Sequence, residues 1–173
     1  MMSKPPALMI RRFVESDVPA ALTIQAASFP AFLLEDEPAF ASRVRLASSC
    51  CLVAMQGATM AGYVLAHGWP TGSPPPVGAV LADPPRTDVL FIHDLAVSPS
   101  ARGLSAGREL VEAAFMCAAR QGLRQAELIA VEGAVTYWRA MGFSEVEISG
   151  TLAEKVAGYG ADARWMTSAI PAH

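Results

Sequence analysis

Between Leu95 and Leu110 the chain reads LAVSPSARGLSAGREL. An apolar run ends at Ser98-Pro99, a short polar link carries Arg102-Gly103, and Gly107 follows inside a segment of helical periodicity. Apolar residues recur there at Leu104, Leu110, Val111, Ala114, Phe115 and Ala118, with Arg108, Glu109, Glu112 and Arg120 off the stripe. The run just before it, VLFIHDLAV (89–97), is apolar on both sides of its alternation and reads as a central strand. A strand therefore hands over to a helix through an arginine and two glycines. A helix N-terminus offers N–H groups with no helical acceptor, the macrodipole adds positive charge, and small residues let a phosphate approach the backbone. Gly-Lys-Ser/Thr and Gly-x-Gly-x-x-Gly are both absent, which excludes a P-loop and a dinucleotide fingerprint. A tight turn at Gly103 and close helix packing at Gly107 would account for the same glycines, so this loop alone leaves both readings open.

Working outward, ALMIRRF (7–13) predicts a first strand, and Ser16 or Asp17 suits the cap of a helix through VPAALTIQAASF, with Pro19 in its first turn. EDEPAFASRVRLA (35–47) predicts a second helix. CCLVAM (50–55), Gln56-Gly57 and ATMAGYVLAH (58–67) read as a hairpin. Residues 68–86 hold six prolines and several glycines and read as an irregular loop. Gly122 suits a helix C-terminus, AELIAV (126–131) a strand, GAVTYWRAM (133–141) a short helix ended by Gly142, and FSEVEIS (143–149) and ARWMTSAI (163–170) the last two strands. The pattern predicts a mixed α/β fold, a mostly antiparallel central sheet of about seven strands flanked by about four helices. The span 1–173 reads as a single domain, with no internal repeat and no sharp linker.

Hydrophobic residues make up 53% and charged residues 17%, which excludes a disordered chain. The formal net charge is -3 and no Lys/Arg cluster stands out, so no nucleic acid partner is expected. Cys50, Cys51 and Cys117 lack metal-ligand spacing and read as reduced core thiols; no metal is expected. The stretch from Arg45 to Asp83 holds no internal charge, but Ser48-Ser49, Gln56-Gly57 and GWPTGSPPP break its apolar runs, so no membrane span is expected. MMSKPPALMIRRF lacks the apolar core of a signal peptide, and a cytoplasmic location is expected.

A second signal, AVTYWRAMGF (134–143), changes the weight of the first. Together the two segments resemble the Gcn5-related N-acetyltransferase (GNAT) superfamily. Its acyl-CoA loop, Arg/Gln-x-x-Gly-x-Gly/Ala, follows a strand ending Leu-Ala-Val-x-Pro. Leu95-Ala96-Val97-Ser98-Pro99 matches that strand end, Arg102 the first loop position and Gly107 the last, with Ser105 in place of the middle glycine. An amide cradle then requires Ser105 to keep a negative φ. Ala134, Gly142 and Phe143 match the later segment Ala-x-x-x-Tyr-x-x-x-Gly-Phe, where Trp138 stands at the tyrosine position and Tyr137 one residue earlier.

The resemblance implies transfer of an acetyl group from acetyl-CoA, the cosubstrate, to the primary amine of a small molecule or peptide, with acyl-CoA bound between splayed strands VLFIHDLAV and AELIAV. It implies pyrophosphate binding by backbone N–H groups of Arg102, Gly103, Leu104, Ser105, Ala106 and Gly107, with Arg108 as a nearby cation. It implies pantetheine pairing with Leu95, Ala96 and Val97, an oxyanion donor at the Val97 N–H, and Trp138 flanking the thioester or filling core. In some members a histidine two residues before the Leu of Leu-Ala-Val carries the proton, and His93 occupies that position. His93 and Asp94 are adjacent, so in a regular strand they face opposite ways and only one looks into the cleft. Trp138 has no acidic proton to give at neutral pH, which leaves Tyr137 or water for the departing thiolate.

The resemblance also implies an acceptor site built from the first two helices and the late strands, where Phe29, Phe32 and Phe40 offer an apolar wall and Glu35, Asp36 and Glu37 a negative field. Acidic residues at a helix start are also ordinary dipole partners. His67 and Trp69 stand near the same region. A homodimer is compatible with the sequence. Two other readings keep the fold: a non-catalytic acyl-CoA sensor, and an interaction module that has lost its ligand.

Overall fold

The computed structural model describes residues 2–4 and 6–172; residues 1, 5 and 173 of the expected 1–173 span lie outside the described residues. The chain runs β1 (Leu8–Arg12), α1 (Val18–Ser28), α2 (Glu37–Arg45), β2 (Leu52–Gln56), β3 (Thr59–Trp69), β4 (Val89–Val97), α3 (Ala106–Arg120), β5 (Gln125–Ala130), α4 (Val135–Ala140), β6 (Ser144–Glu145), α5 (Gly150–Ala157) and β7 (Arg164–Ala169). The strands form one sheet in the order β1-β2-β3-β4-β5-β7-β6. Every pairing is antiparallel except β4 with β5. That parallel pair needs a crossover, and α3 supplies it.

Two apolar layers sandwich the sheet, as the two-sided hydrophobicity of its central strands demands. Leu110, Val111, Ala114 and Ala118 of α3 bury against Val64, Ala66, Leu90, Ile92 and Leu128. On the opposite face Val18, Ala21 and Ile24 of α1 and Phe40 of α2 pack on Val53, Tyr63, Leu65 and Ala96. Truncating a fully buried residue such as Leu110 to Ala would cost about 2–5 kcal/mol.

Three local expectations are corrected. Asp17 does not cap α1 with its side chain; its carboxylate is taken by Arg11, at 2.8 Å to each guanidinium nitrogen, and by the Val14 N–H at 2.9 Å. The run 143–149 pairs only at Ser144 and Glu145, because it meets β7 at the sheet edge and then leaves it. A fifth helix, α5, follows over Gly150–Ala157, where the sequence reading placed no element and about four helices were expected. At α2, by contrast, Asp36 accepts from the Ala39 N–H at 3.2 Å, an ordinary N-cap.

The proline-rich segment between β3 and β4 has no helix or strand, as expected, but it is strapped across the α1/α2 face. Glu127 of β5 accepts from the Thr71 hydroxyl and the Gly72 N–H, Ser42 from the Leu81 N–H, and Asp83 from the Ala47 N–H. The Tyr159 hydroxyl donates to the Pro75 carbonyl. The three cysteines are free thiols. Among the described residues no helix is long and apolar enough to cross a membrane, and no group of His, Cys, Asp and Glu side chains could hold a metal ion.

Candidate active site

β4 and β5 pair only from Leu90–Ile92 with Ala126–Leu128. Beyond that point β4 continues to Val97 while β5 ends at Ala130, so the two strands diverge. A cleft of about 660 Å³ opens in the gap, within the size range of small-molecule sites. Its floor is β4 from Ile92 to Val97, one end is the loop Arg102–Ser105 with the first turn of α3, and the far wall is Leu128, Ile129, Tyr137 and Trp138. The Ser98 N–H bonds to the Ala61 carbonyl of β3 at 2.8 Å. Backbone groups alternate along a strand, so Val97 turns its own N–H toward the edge that β5 has left.

The loop before α3 bends through two left-handed residues, Gly103 at φ +88° and Ser105 at φ +62°. The negative φ expected for Ser105 is overturned: the chain must reverse sharply into α3, and the residue ahead of Ala106 absorbs the turn. That geometry suits glycine and costs a side-chain-bearing residue about 1–2 kcal/mol. The Ser105 hydroxyl makes no cap hydrogen bond; its carbonyl accepts from Glu109 at 3.0 Å, opening the helix. The N–H groups of Ala106, Gly107 and Arg108 precede that first helical bond and have no helical acceptor. Gly107 is tightly enclosed: a Cβ there would collide with the Tyr137 hydroxyl and lie 3.6 Å from Val97 Cγ2. Gly107 lines the cleft and also packs closely against Tyr137.

At the other end of the floor the strand is irregular. Leu65 pairs with Asp94 but Ala66 pairs with Ile92, so His93 is an extra residue on β4, a bulge. The alternation therefore slips. His93 and Asp94 do not face opposite ways; both line the cleft, and both line a smaller cavity of about 30 Å³ beside it with Phe29, Leu33, Val77, Ile129, Val131, Glu35 and Tyr159. The bulge corrects the expectation that only one of the two could serve, because an inserted residue cancels the period-two rule.

The Tyr63 hydroxyl donates to Asp94 Oδ2 at 2.7 Å. Burial pushes the Asp94 carboxyl up to about 7, against the lowering effect of that hydrogen bond, and the nearby Glu35 charge pushes the same way as burial. The His93 ring Nε2 meets Glu35 Oε1, and Nδ1 is buried without a hydrogen-bond partner among the described residues. Burial and the Arg43 charge hold the His93 imidazole below its ordinary range, against the raising effect of Glu35. For Glu35 burial works upward, but the His93 hydrogen bond and the His93 and Arg43 charges outweigh it and keep the carboxyl lowered.

Of the other residues singled out, Arg102, Leu95, Ala96, Val97, Ala106 and Arg108 line the cleft, whereas Leu104 lies outside it, 39% exposed. Trp138 is buried edge-on against Phe143 at 5.3 Å between ring centroids and presents only part of itself to the cleft. Tyr137 is 44% exposed at the rim, and burial of the rest raises its phenol. Phe29 lines both cavities, Phe32 points outward and Phe40 is core. Asp36 and Glu37 sit in the first turn of α2 as ordinary dipole partners, but Glu35 is buried and turned inward. His67 is buried, its imidazole pushed down to about 3 by burial, and it lines neither cavity. The residues the sequence underrated are Glu35 and Tyr63; Glu35 was visible only as one of three acids, and Tyr63 had no signal beyond its strand.

No curated protein sequence matches the chain significantly. Solved structures share its fold. The ribosomal-protein-S18-alanine N-acetyltransferase from Escherichia coli superposes with a TM-score of 0.66 at 19% identity, over 96% of this chain and 96% of that one. Ard1 from Thermoplasma volcanium gives 0.71 at 16% identity, over 95% and 99%. The GphF GNAT-like decarboxylase in complex with isobutyryl-CoA gives 0.69 at 21% identity, over 94% and 100%. The family model for the acetyltransferase (GNAT) family matches residues 18–143, which include the divergent strands, the left-handed loop and both aromatic residues of α4. The chain belongs to the acetyltransferase (GNAT) family.

Proposed function

We propose that this protein transfers an acetyl group from acetyl-CoA to the primary amine of a small molecule or peptide, acting as one domain over residues 1–173. The observation that carries the reading is one continuous cleft with free helix N–H groups at one end and a titratable pair, His93 and Asp94, on a bulge in its floor. A neighbour of the same fold, the GphF GNAT-like decarboxylase, is solved with isobutyryl-CoA, which supports the acyl-CoA part of the reading.

Bound acetyl-CoA supplies a thioester carbonyl open to attack by nitrogen. The N–H groups of Ala106, Gly107 and Arg108, with the Arg102 and Arg108 cations, hold the pyrophosphate. The loop residues Gly103, Leu104 and Ser105 shape that cradle, which does not need the negative φ expected of Ser105, because its donors are the N–H groups of Ala106, Gly107 and Arg108 beyond the left-handed turn. Leu95 and Val97 pair with the pantetheine amides along the unpartnered edge of β4, while Ala96 between them turns its backbone groups to β3. The Val97 N–H donates to the thioester oxygen as charge builds on it, and loss of such a donor costs about 3 kcal/mol. A primary ammonium of pKa ~10.4 is almost wholly protonated at pH 7, a deficit of about 4.6 kcal/mol. His93 and Asp94 offset that deficit by accepting the proton, since the imidazole is neutral and the carboxyl titrates at about 7. Tyr137 keeps its proton at neutral pH and can give it to the departing thiolate; Trp138 closes the wall behind it. The free thiols fit a cytoplasmic setting.

A non-catalytic sensor would have no use for two buried titratable groups beside the cleft, and that reading is not favoured. The test is amine-dependent release of free CoA from acetyl-CoA across a panel of small amines and peptides. Release above the hydrolysis background with at least one amine, lost in His93→Ala/Asp94→Asn, supports the proposal. Tight acetyl-CoA binding with no amine-dependent release would make the protein a sensor.

A further inference from the structure

Glu35 is built into the molecule more firmly than a helix-start acid requires. Its backbone N–H donates to Gln25 Oε1 at 2.8 Å, and its carbonyl accepts from Gln25 Nε2 at 3.0 Å, so a buried side chain of α1 holds it like a neighbouring strand. Its two carboxylate oxygens are divided. Oε2 accepts from the Gly78 N–H at 2.6 Å and lies 3.4 Å from Nη2 of Arg43, a fully buried guanidinium. Oε1 meets His93 Nε2. Arg43 is always charged, so a buried Arg43 needs an anion beside it, and Glu35 is its ion-pair partner among the described residues. Arg43 and the Gly78 N–H thereby favour the ionised carboxylate, together with the His93 hydrogen bond.

Resting on the acyl-transfer reading above, we propose that Glu35 is the positioning residue of His93. Its carboxylate, clamped by Arg43 and the Gly78 N–H, fixes the imidazole with Nε2 protonated and leaves Nδ1 as the basic atom that takes the proton shed by the acceptor amine. The proton balance is simple. The amine nitrogen forms its bond to the acetyl carbon, the C–S bond breaks, the nitrogen's proton passes to Nδ1, and the resulting imidazolium is stabilised by the Glu35 anion. The groups facing His93 from the surrounding elements are Glu35 ahead of α2, Arg43 of α2, Asp94 of β4 with its partner Tyr63 of β3, His67 of β3, and Tyr159 after α5 at 6.4 Å between ring centroids. Glu35 is the anion in direct contact with the ring. Burial and Arg43 oppose protonation, so the carboxylate sets how readily His93 accepts a proton.

The test uses the full chain, ¹⁵N-labelled, and two variants. Glu35→Gln removes the charge and keeps the shape. Because it strands Arg43, Glu35→Leu/Arg43→Met serves where Glu35→Gln does not fold, since a buried ion pair can be replaced by apolar residues of like volume. The expected result has three parts. The wild-type ring shows Nε2 protonated and Nδ1 bare at neutral pH; the His93 titration moves to lower pH in the variant; and kcat falls on the order of 10²-fold or more, within the range a general base contributes, while the KM for acetyl-CoA stays within about two-fold. A wild-type Nδ1–H tautomer overturns the proposal. So does a folded variant whose kcat is unchanged, or one that loses kcat while the His93 titration stays put, which is the signature of a merely structural Glu35. If the wild type shows no acyl transfer at all, the reading of the reaction fails, whereas the tautomer and titration still decide whether Glu35 governs His93.

Discussion

Ser105→Gly should stabilise the protein, although it removes a side chain from a loop. Ser105 is held at φ +62°, ψ +18°, where a Cβ is crowded by the following carbonyl. Relief of that crowding is worth about 1–2 kcal/mol. The glycine's extra freedom in the unfolded chain takes back roughly 0.5–1 kcal/mol. The hydroxyl subtracts nothing, because it caps no helix N–H. The net gain is about 0.5–1 kcal/mol. For a chain of this length 1 kcal/mol moves the melting temperature by roughly 2–4 °C, so a rise of about 1–4 °C is expected by calorimetry. Ser105→Ala keeps the strain and should melt within about 1 °C of the wild type, whereas Ser105→Val, β-branched in the left-handed region, should melt lower. Acetyl-CoA affinity should be unchanged in Ser105→Gly, since the backbone N–H remains. A Ser105→Gly protein that melts as low as Ser105→Val would refute the left-handed turn.

Gly107→Asp should raise the Kd for acetyl-CoA at least about ten-fold, by placing a carboxylate among the N–H groups that hold the pyrophosphate. Its melting temperature should fall only a few degrees, because the atom its Cβ strikes is the hydroxyl of half-exposed Tyr137, which can swing outward; unchanged affinity in a folded variant contradicts this. Asp94 titrates at about 7 in the folded protein and near 3.9 unfolded, so between those values the folded state holds a proton that the unfolded chain has released. Stability of the wild type relative to Asp94→Asn should therefore decline as pH rises from about 4 to 7, and a difference that is flat across that window would show that Asp94 is not raised.

The strands and most of the helices are written in the local sequence, because periodicity and turn chemistry act within a few residues; the place of the cleft was given by the resemblance to the GNAT superfamily. VLFIHDLAV could only be a central strand, and the glycine-bearing segment after it could only open a helix. What was not legible arises where two distant segments meet. The bulge that puts His93 and Asp94 on one face is a mismatch of register between β3 and β4, and neither strand shows it alone. Glu35 looked like Asp36 and Glu37 until the Gly78 N–H and His93, both far along the chain, closed on it. Val146 and Ile148 gave FSEVEIS a strand's alternation, yet Val146 is 43% exposed and the segment turns away after two paired residues into α5. Ser105 failed for the opposite reason: its conformation is local, but the geometry of the turn outweighs the residue's own preference.

Acetyl-CoA binding to the wild-type chain is the most direct measurement, made by isothermal titration and by melting on the same sample. The expected result is saturable heat with a Kd in the micromolar range, about 8 kcal/mol of binding free energy, and a stabilisation of ~2.7 kcal/mol when acetyl-CoA stands at one hundred times Kd. No heat and no melting shift at millimolar acetyl-CoA would contradict the assignment of the cleft between β4 and β5 as an acyl-CoA site.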